Sequence, residues 1–150
     1  RESPDGSYFV PTEVTASVAA FDDGLIVYRF GAPLYFANAN LFSEEVEKLV
    51  TQGDAPIRWF VLDAQAISDI DTTGAEVLHQ VFTMLGQRDI TIAVTRANPQ
   101  IRTLLQRYGL LEFIEEQRLY PTNRHAVAAF RQECGQKISE SNASHANDAD

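Results

Sequence analysis

The densest run of chemically useful side chains lies in one segment near the middle of the chain. It places two carboxylates and two hydroxyls within five residues, shortly after an apolar run that ends at Asp63. Asp71 or Thr72 can cap the helix that follows, because a side-chain oxygen there accepts from free backbone amides. A hydroxyl held at a helix N-terminus can also be phosphorylated or can contact a charge on a partner. The candidate regulatory or partner-binding residues are Asp69, Asp71, Thr72, Thr73 and Gly74.

Two classes of enzyme use carboxylates in a related arrangement. The segment 69–73 fits the D-x-D-x-T pattern of haloacid-dehalogenase-like phosphatases, which place a nucleophilic Asp and a general acid beside magnesium. That motif should follow the first core strand directly, whereas here five residues separate it from Asp63. The chemistry also needs a downstream lysine, and the lysines of this chain are Lys48 and Lys137. A phosphate receiver with Asp22 and Asp23 as metal ligands and Asp63 as phosphoacceptor lacks its lysine too, so we predict no catalytic residues.

Two other groups of residues could bind a ligand. The histidines share no metal-ligand spacing, so surface positions are expected for them and neither a metal nor a cofactor is predicted. These are His79, His125 and His145. A second group near the segment 95–99 could contact an anion or a nucleotide phosphate at a helix start, although a solvated helix face is the simpler interpretation. This group is Arg102, Arg107 and Tyr108.

Composition limits the classes of partner. The net charge of -9, from 21 acidic and 12 basic residues, is the wrong sign for nucleic-acid binding or for a polybasic membrane contact. No apolar run approaches the ~20 residues that cross a bilayer, so a soluble piece is expected. The single cysteine, Cys134, can form no internal disulfide. Residues 1–13 have a linker-like composition and suggest a piece of a longer protein, and residues 135–150 are predicted to be a disordered tail.

The hydrophobic pattern predicts a single α/β domain over residues 14–134. Two β-favouring runs around Asp22-Asp23-Gly24 indicate an edge hairpin, with Leu25–Phe30 as its second arm. After it, amphipathic stripes alternate with apolar runs in the order α, β, α, β, α, β, α. The helical stripes start at Leu41, Val77, Ile101 and Asn123, and the strands cover 57–62, 90–94 and 118–120. Strands separated by helices imply right-handed crossovers and a largely parallel sheet with about four packed helices.

Details of these elements are predicted as well. Gly53 and Gly86 should end the first two helices, and Gly109 should cap the third. The segment 59–62 is apolar throughout and includes Trp59, as expected for a strand that is covered on both faces. Tyr35 and Phe36, which precede the first stripe, are predicted to be core residues.

Three motifs carry a resemblance to a known family. Residues 24–39, GLIVYRFGAPLYFANA, resemble the opening signature of STAS domains in sulfate permease transporters. The strand WFVLD at 59–63 and the loop IDTTGA at 70–75 resemble the central strand and loop of the same family. The match keeps the right separations from about Gly24 to Arg131. Together these motifs are specific, whereas Asp-Thr-Thr-Gly alone would be weak.

The resemblance implies a function. It predicts a regulatory or assembling cytosolic domain at the C-terminus of a membrane transporter of sulfate, bicarbonate or another anion. The implied partners are the transmembrane domain of that transporter, a second STAS copy in a dimer, or a cytosolic regulatory protein.

The alternative is a free-standing protein like the anti-sigma-factor antagonists, the other branch of the family. Their Asp-Ser-Ser-Gly loop is phosphorylated on its second hydroxyl residue, which corresponds to Thr73. This chain has Thr where the antagonists have Ser, and it has a Pro-Leu-Tyr-Phe-Ala-Asn stretch that they lack.

Overall fold

The computed structural model describes residues 16–20, 24–52, 56–115 and 118–135. Within them, five strands form a sheet whose spatial order follows the chain. The first two strands are antiparallel and each later strand is parallel to its neighbour. This confirms the predicted α/β fold with an edge hairpin and a largely parallel sheet. The strands are β1 (Ala16–Ala20), β2 (Leu25–Phe30), β3 (Trp59–Asp63), β4 (Thr91–Thr95) and β5 (Leu119–Tyr120).

Four α-helices occur in the described part of the chain. They are α1 (Phe36–Thr51), α2 (Thr72–Gln87), α3 (Pro99–Arg107) and α4 (Asn123–Phe130). A 3₁₀ turn at Leu110–Phe113 follows α3, and a wider turn at Arg131–Gly135 follows α4. Helices α1, α2 and α3 are the crossovers between successive parallel strands, as the sequence pattern predicts. None of the helices that the structure describes combines the length and the apolar character needed to cross a membrane.

The two faces of the sheet build two apolar clusters, because successive side chains of a strand point to opposite faces. On one face, Ile26, Phe60 and Leu62 pack with the apolar stripes of α1, α2 and α3. On the other face, Trp59 and Val61 pack with α4. Every residue of β3 is buried, which confirms the predicted doubly covered strand. Trp59 is only 2% exposed and meets the ring of Phe130 edge-on, with the ring centroids 5.6 Å apart.

Several predicted details are corrected. Tyr35 and Phe36 are not core residues: Phe36 is 72% exposed and Tyr35 is 37% exposed. The first helix begins at Phe36, which is five residues before Leu41, the start of the apolar stripe on which the prediction was based. Gly86 does not stop α2, which continues to Gln87, since a glycine near a helix end costs at most about 1 kcal/mol.

The predictions for Gly109, Gly53 and the two ends of the chain have different outcomes. Gly109 has a φ of 76°, the left-handed conformation expected after a helix C-terminus. Gly53, residues 1–13 and the tail from residue 136 onward lie outside the described residues.

The parallel register places several strand ends at one edge of the sheet. Arg29 of β2, Asp63 of β3 and Thr95 of β4 lie side by side, and Thr95 pairs with Tyr120 of β5. The segments that leave this edge include those that lead into α1 and α2. In open α/β sheets, ligand-binding sites lie outside the carboxyl ends of the strands.

Candidate functional site

The segments that precede α1 and α2 lie side by side as one unit. Leu34 and Ile70 form an isolated parallel bridge. The Leu34 amide donates to the carbonyl of Asp69 at 2.9 Å, and the Asp71 amide donates to the carbonyl of Leu34 at 3.2 Å. We call residues 33–36 and 69–74 the paired loops. Their pairing gives two helix N-termini a fixed spatial relation.

The carboxylate of Asp71 is shared between those two helices. Its Oδ1 accepts from the amide of Gly74 at 2.7 Å, which is the expected N-cap of α2. Its Oδ2 accepts from the amide of Phe36, the first residue of α1, at 3.0 Å. The positive ends of both helix dipoles therefore face one negative charge, and each end is stabilised by it. The sequence leaves Asp71 and Thr72 as alternative N-caps, of which the structure has Asp71, and it does not predict the contact with Phe36.

Asp69 also links the two segments of the paired loops. Its Oδ2 accepts from the Tyr35 hydroxyl at 2.7 Å, and its Oδ1 accepts from the amide of Ile70 at 2.9 Å. The hydrogen bond to this carboxylate is the main reason that the pKa of Tyr35 is raised above its ordinary value. The Tyr35 amide in turn donates to Oδ1 of Asn38 at 3.0 Å. Tyr35 is therefore held by its backbone and by its hydroxyl.

Gly74 is required by the close approach of the two loops. A Cβ at this position would lie 2.1 Å from the carbonyl oxygen of Leu34, far inside van der Waals contact. That same oxygen accepts the amide of Asp71, so it cannot move away without breaking the pairing. Glycine is required at this position because there is no room for a Cβ, and not because the backbone adopts a conformation that only glycine favours.

The threonines are the accessible part of the site. Thr72 and Thr73 are the first two residues of α2, and both are exposed. Among the residues that the structure describes, neither hydroxyl has a hydrogen-bond partner. The five predicted site residues thus come together but divide by role: Asp69, Asp71 and Gly74 hold the backbone, and Thr72 and Thr73 face solvent.

The hydrogen bonds of Asp69 and Asp71 are relevant to the phosphatase alternative. In that chemistry the two aspartates of the motif would have to present oxygens to a metal and a substrate. Both oxygens of Asp71 are occupied by backbone amides, and both oxygens of Asp69 accept hydrogen bonds from this chain. No group of three metal-ligating side chains occurs among the described residues. The arrangement fits helix capping better than hydrolysis.

A buried ionic network that the sequence did not predict lies at the same edge of the sheet. Asp63, 1% exposed at the end of β3, accepts from Arg96 Nη2 at 3.1 Å and from Asn123 Nδ2 at 2.9 Å. The amide of Gln65 donates to it at 3.0 Å. Burial alone would raise the pKa of Asp63, but the hydrogen bonds from Arg96, Asn123 and Gln65 outweigh it and lower the pKa.

This network connects three elements. Asn123 begins α4 and also accepts from the hydroxyl of Thr95 at the end of β4. Arg96 adopts a φ of 58°, and its guanidinium contacts the Asp63 carboxylate at the end of β3. The only sequence signal was an Asp at the end of a buried strand, which needs partners to remain charged. Receiver-type use of Asp63 as a phosphoacceptor does not fit a carboxylate that is already enclosed in this way.

The other predicted ligand-binding residues do not gather around one point. The Tyr108 hydroxyl points toward the carbonyl of Ile70 at 3.4 Å, whereas Nε of Arg102 donates to the carbonyl of Ala97 at 3.1 Å. Arg107 is exposed. His79 and His125 are exposed, as predicted, and His145 lies outside the described residues.

Comparison with known proteins identifies a family and relatives. The family model described as "STAS domain" matches residues 16–126. A "probable sulfate transporter" of Mycobacterium tuberculosis is 39% identical over 108 residues, which are 72% of this chain and 19% of that protein. Sulfate transporter 3.2 of Arabidopsis thaliana is 31% identical over 113 residues, 70% of this chain and 18% of the relative. This chain therefore spans about a fifth of the length of these relatives.

Solved structures share the fold. The STAS domain of a SulP transporter from Vibrio cholerae superposes with a TM-score of 0.66 at 22% identity, over 78% of this chain and 88% of that one. The Bacillus cell fate determinant SpoIIAA, an anti-sigma factor antagonist, superposes in its phosphorylated form with a TM-score of 0.59 at 15% identity, over 77% of this chain and 99% of that one. Both likenesses concern the fold alone.

The close approach at Gly74 predicts an asymmetry between two glycines of α2. Gly74→Ala should destabilise the domain by about 1 to 3 kcal/mol or more, because the added methyl group overlaps the carbonyl of Leu34. Gly86→Ala is the matched control: nothing lies within 4 Å of its added Cβ, and it should stabilise the helix by about 0.5 to 1 kcal/mol. Urea unfolding of both variants measures the difference. Equal effects would contradict the described contact between the paired loops.

The network around Asp63 predicts a pH-dependent contribution to stability. Because the pKa of Asp63 is lowered on folding, its contribution is fully present above the unfolded pKa of about 3.9 and is lost as the pH falls below it. Asp63→Asn should cost about 1.5 to 3 kcal/mol at neutral pH, as expected for hydrogen bonds to a charged group. Denaturant unfolding at neutral pH and below pH 4 compares the two chains. The cost should shrink in acid, and a cost that is independent of pH would refute the assignment.

Proposed function

The chain belongs to the STAS domain family, and from this we propose that it is the cytosolic C-terminal STAS domain of a membrane transporter of sulfate, bicarbonate or a similar anion. The observation that carries the proposal is the 39% identity to part of a "probable sulfate transporter". In the relatives, about four-fifths of the length lies outside the matched region, and we assign anion passage to that part. The domain itself regulates or assembles the transporter through protein contacts.

The paired loops are the proposed contact surface. Their backbone is held at Leu34, Asp69, Asp71 and Gly74, so the surface keeps its shape without a partner. The exposed hydroxyls of Thr72 and Thr73 lie on it. A rigid surface loses little conformational entropy on binding, which favours its use for recognition. The transmembrane domain of the same transporter is the first proposed partner, and a second STAS copy or a cytosolic regulatory protein are the others.

Phosphorylation of Thr73 is a second candidate mode of action. It is supported by the fold shared with SpoIIAA, a protein that has been solved in a phosphorylated form. The exposed hydroxyl at a helix N-terminus also suits it, because the helix dipole stabilises an added negative charge. Such a switch would act in a transporter or in a free-standing antagonist. We favour the transporter, since the sequence identity is 39% to the transporter relative and 15% to SpoIIAA.

The proposal predicts that charge at Thr73 alters transport without unfolding the domain. Thr73→Glu should fold normally, because a negative charge in the first turn of a helix gains about 0.3 to 1 kcal/mol. In the full-length transporter it should change the apparent affinity for the transported anion by about fivefold, the effect of a coupling free energy of about 1 kcal/mol. Anion uptake in membrane vesicles, normalised to transporter content, measures it.

The matched control is Thr51→Glu. Thr51 is exposed and is the last residue of α1, about 22 Å along the helix axis from the paired loops. It should leave uptake unchanged. If Thr73→Glu leaves uptake at the wild-type level, the loop serves only as a helix cap. If both variants change uptake equally, the effect is due to added charge in general and not to the position of Thr73.

A further inference from the structure

A cleft opens at the edge of the sheet where β3 and β4 begin, which is opposite the edge that carries the paired loops. Its volume is about 340 Å³, at the small end of the range for ligand-binding clefts. One wall is apolar and combines the start of β3 and the two residues before Arg58 with the turn that follows α4. The residues of this apolar wall are Pro56, Ile57, Trp59 and Cys134.

Two arginines line the same cleft and are available to a ligand. Arg58 immediately precedes β3, Arg88 immediately follows α2, and both are exposed. Within the part of the chain that the structure describes, no hydrogen bond or ion pair engages either guanidinium. The stem of Arg58 lies against Gly24, where an added Cβ would be 3.1 Å from its Cγ. Two unpaired guanidiniums in one cleft suit a carboxylate, which guanidinium groups bind through paired hydrogen bonds.

The cleft also holds one unpaired carboxylate. Asp89 is exposed, adopts a φ of 60°, and has no ionic partner among the described residues. The other carboxylate that lines the cleft, Glu133, is paired with Arg118 at 3.3 Å. The charges left without a partner are therefore two cations and one anion. An α-amino acid complements them, because its carboxylate suits the arginines and its ammonium group suits the aspartate.

We propose that this cleft binds a free α-amino acid with an apolar side chain. Arg58 and Arg88 bind its carboxylate, Asp89 binds its ammonium group, and its side chain packs against the apolar wall. The small volume of the cleft matches a ligand of this size. The inference goes beyond the proposed function and does not depend on it, because no residue of the paired loops takes part.

Binding of L-leucine to the full chain tests the proposal. Trp59 is the only tryptophan of the chain, so its fluorescence reports directly on the cleft. Leucine should change this fluorescence saturably, and isothermal titration calorimetry should give the same dissociation constant. Leucinamide lacks the carboxylate and 4-methylpentanoate lacks the ammonium group, so each should bind about tenfold more weakly. Neither heat nor a fluorescence change with leucine would overturn the proposal, as would equal binding of the three compounds.

Two substitutions separate the halves of the site. Arg88→Gln should weaken the binding of leucine and of 4-methylpentanoate about tenfold, whereas Asp89→Asn should weaken only leucine. The matched control is Arg107→Gln, which removes an exposed arginine of α3 that does not line the cleft. Urea unfolding should show that all three variants are folded. If Arg107→Gln weakens leucine as much as Arg88→Gln does, the attraction is a general effect of charge and the assigned site is wrong.

Discussion

One shared carboxylate fixes the geometry on which the site depends. Asp71 accepts from the first residue of α1 and from the first turn of α2, so the N-termini of two neighbouring helices converge on a single charge. The bridge between Leu34 and Ile70 brings the two segments within reach, and Gly74 allows the approach by having no Cβ. Without that charge, two helix N-termini with unsatisfied amides would face one another across the same gap. The accessible threonines and the exposed aromatic pair are placed by this arrangement.

A second polar constraint acts at the same edge of the sheet. β3 is buried on both faces and ends in a carboxylate, and a buried charge is costly unless it is paired and hydrogen-bonded. Arg96 and Asn123 supply that pairing, and Asn123 is also the first residue of α4. The helix that covers the second face of the sheet is thereby tied to the end of the central strand. The paired loops thus lie at an end of the sheet where the central strand and a covering helix are joined by hydrogen bonds.

The features that the sequence predicted correctly depend on residues that are close together in the chain. Residues that are close in the chain predicted the apolar stripes of α2 and α3, the apolar run 59–62 of β3, and an N-cap at Asp71 or Thr72. The alternation of helices and strands predicted the largely parallel sheet, and the family resemblance is confirmed by the match to residues 16–126. Contacts between distant residues were not predictable: Phe36 and Asp71 are 35 residues apart, and Asp63 and Asn123 are 60 apart. Tyr35 and Phe36 were predicted to be core residues. That prediction was wrong because α1 begins at Phe36 and leaves both aromatic side chains in solvent.

Asp71 holds the N-termini of both helices and is not an ordinary cap of α2 alone. Amide hydrogen exchange of the domain with and without Asp71→Ala tests it most directly, with the amide of Ile101, which is capped by Asn98 in α3, as the internal reference. If Asp71 caps both helices, the amides of Phe36 and Gly74 lose protection together while the Ile101 amide keeps its exchange rate. Faster exchange at Gly74 with an unchanged rate at Phe36 would contradict it.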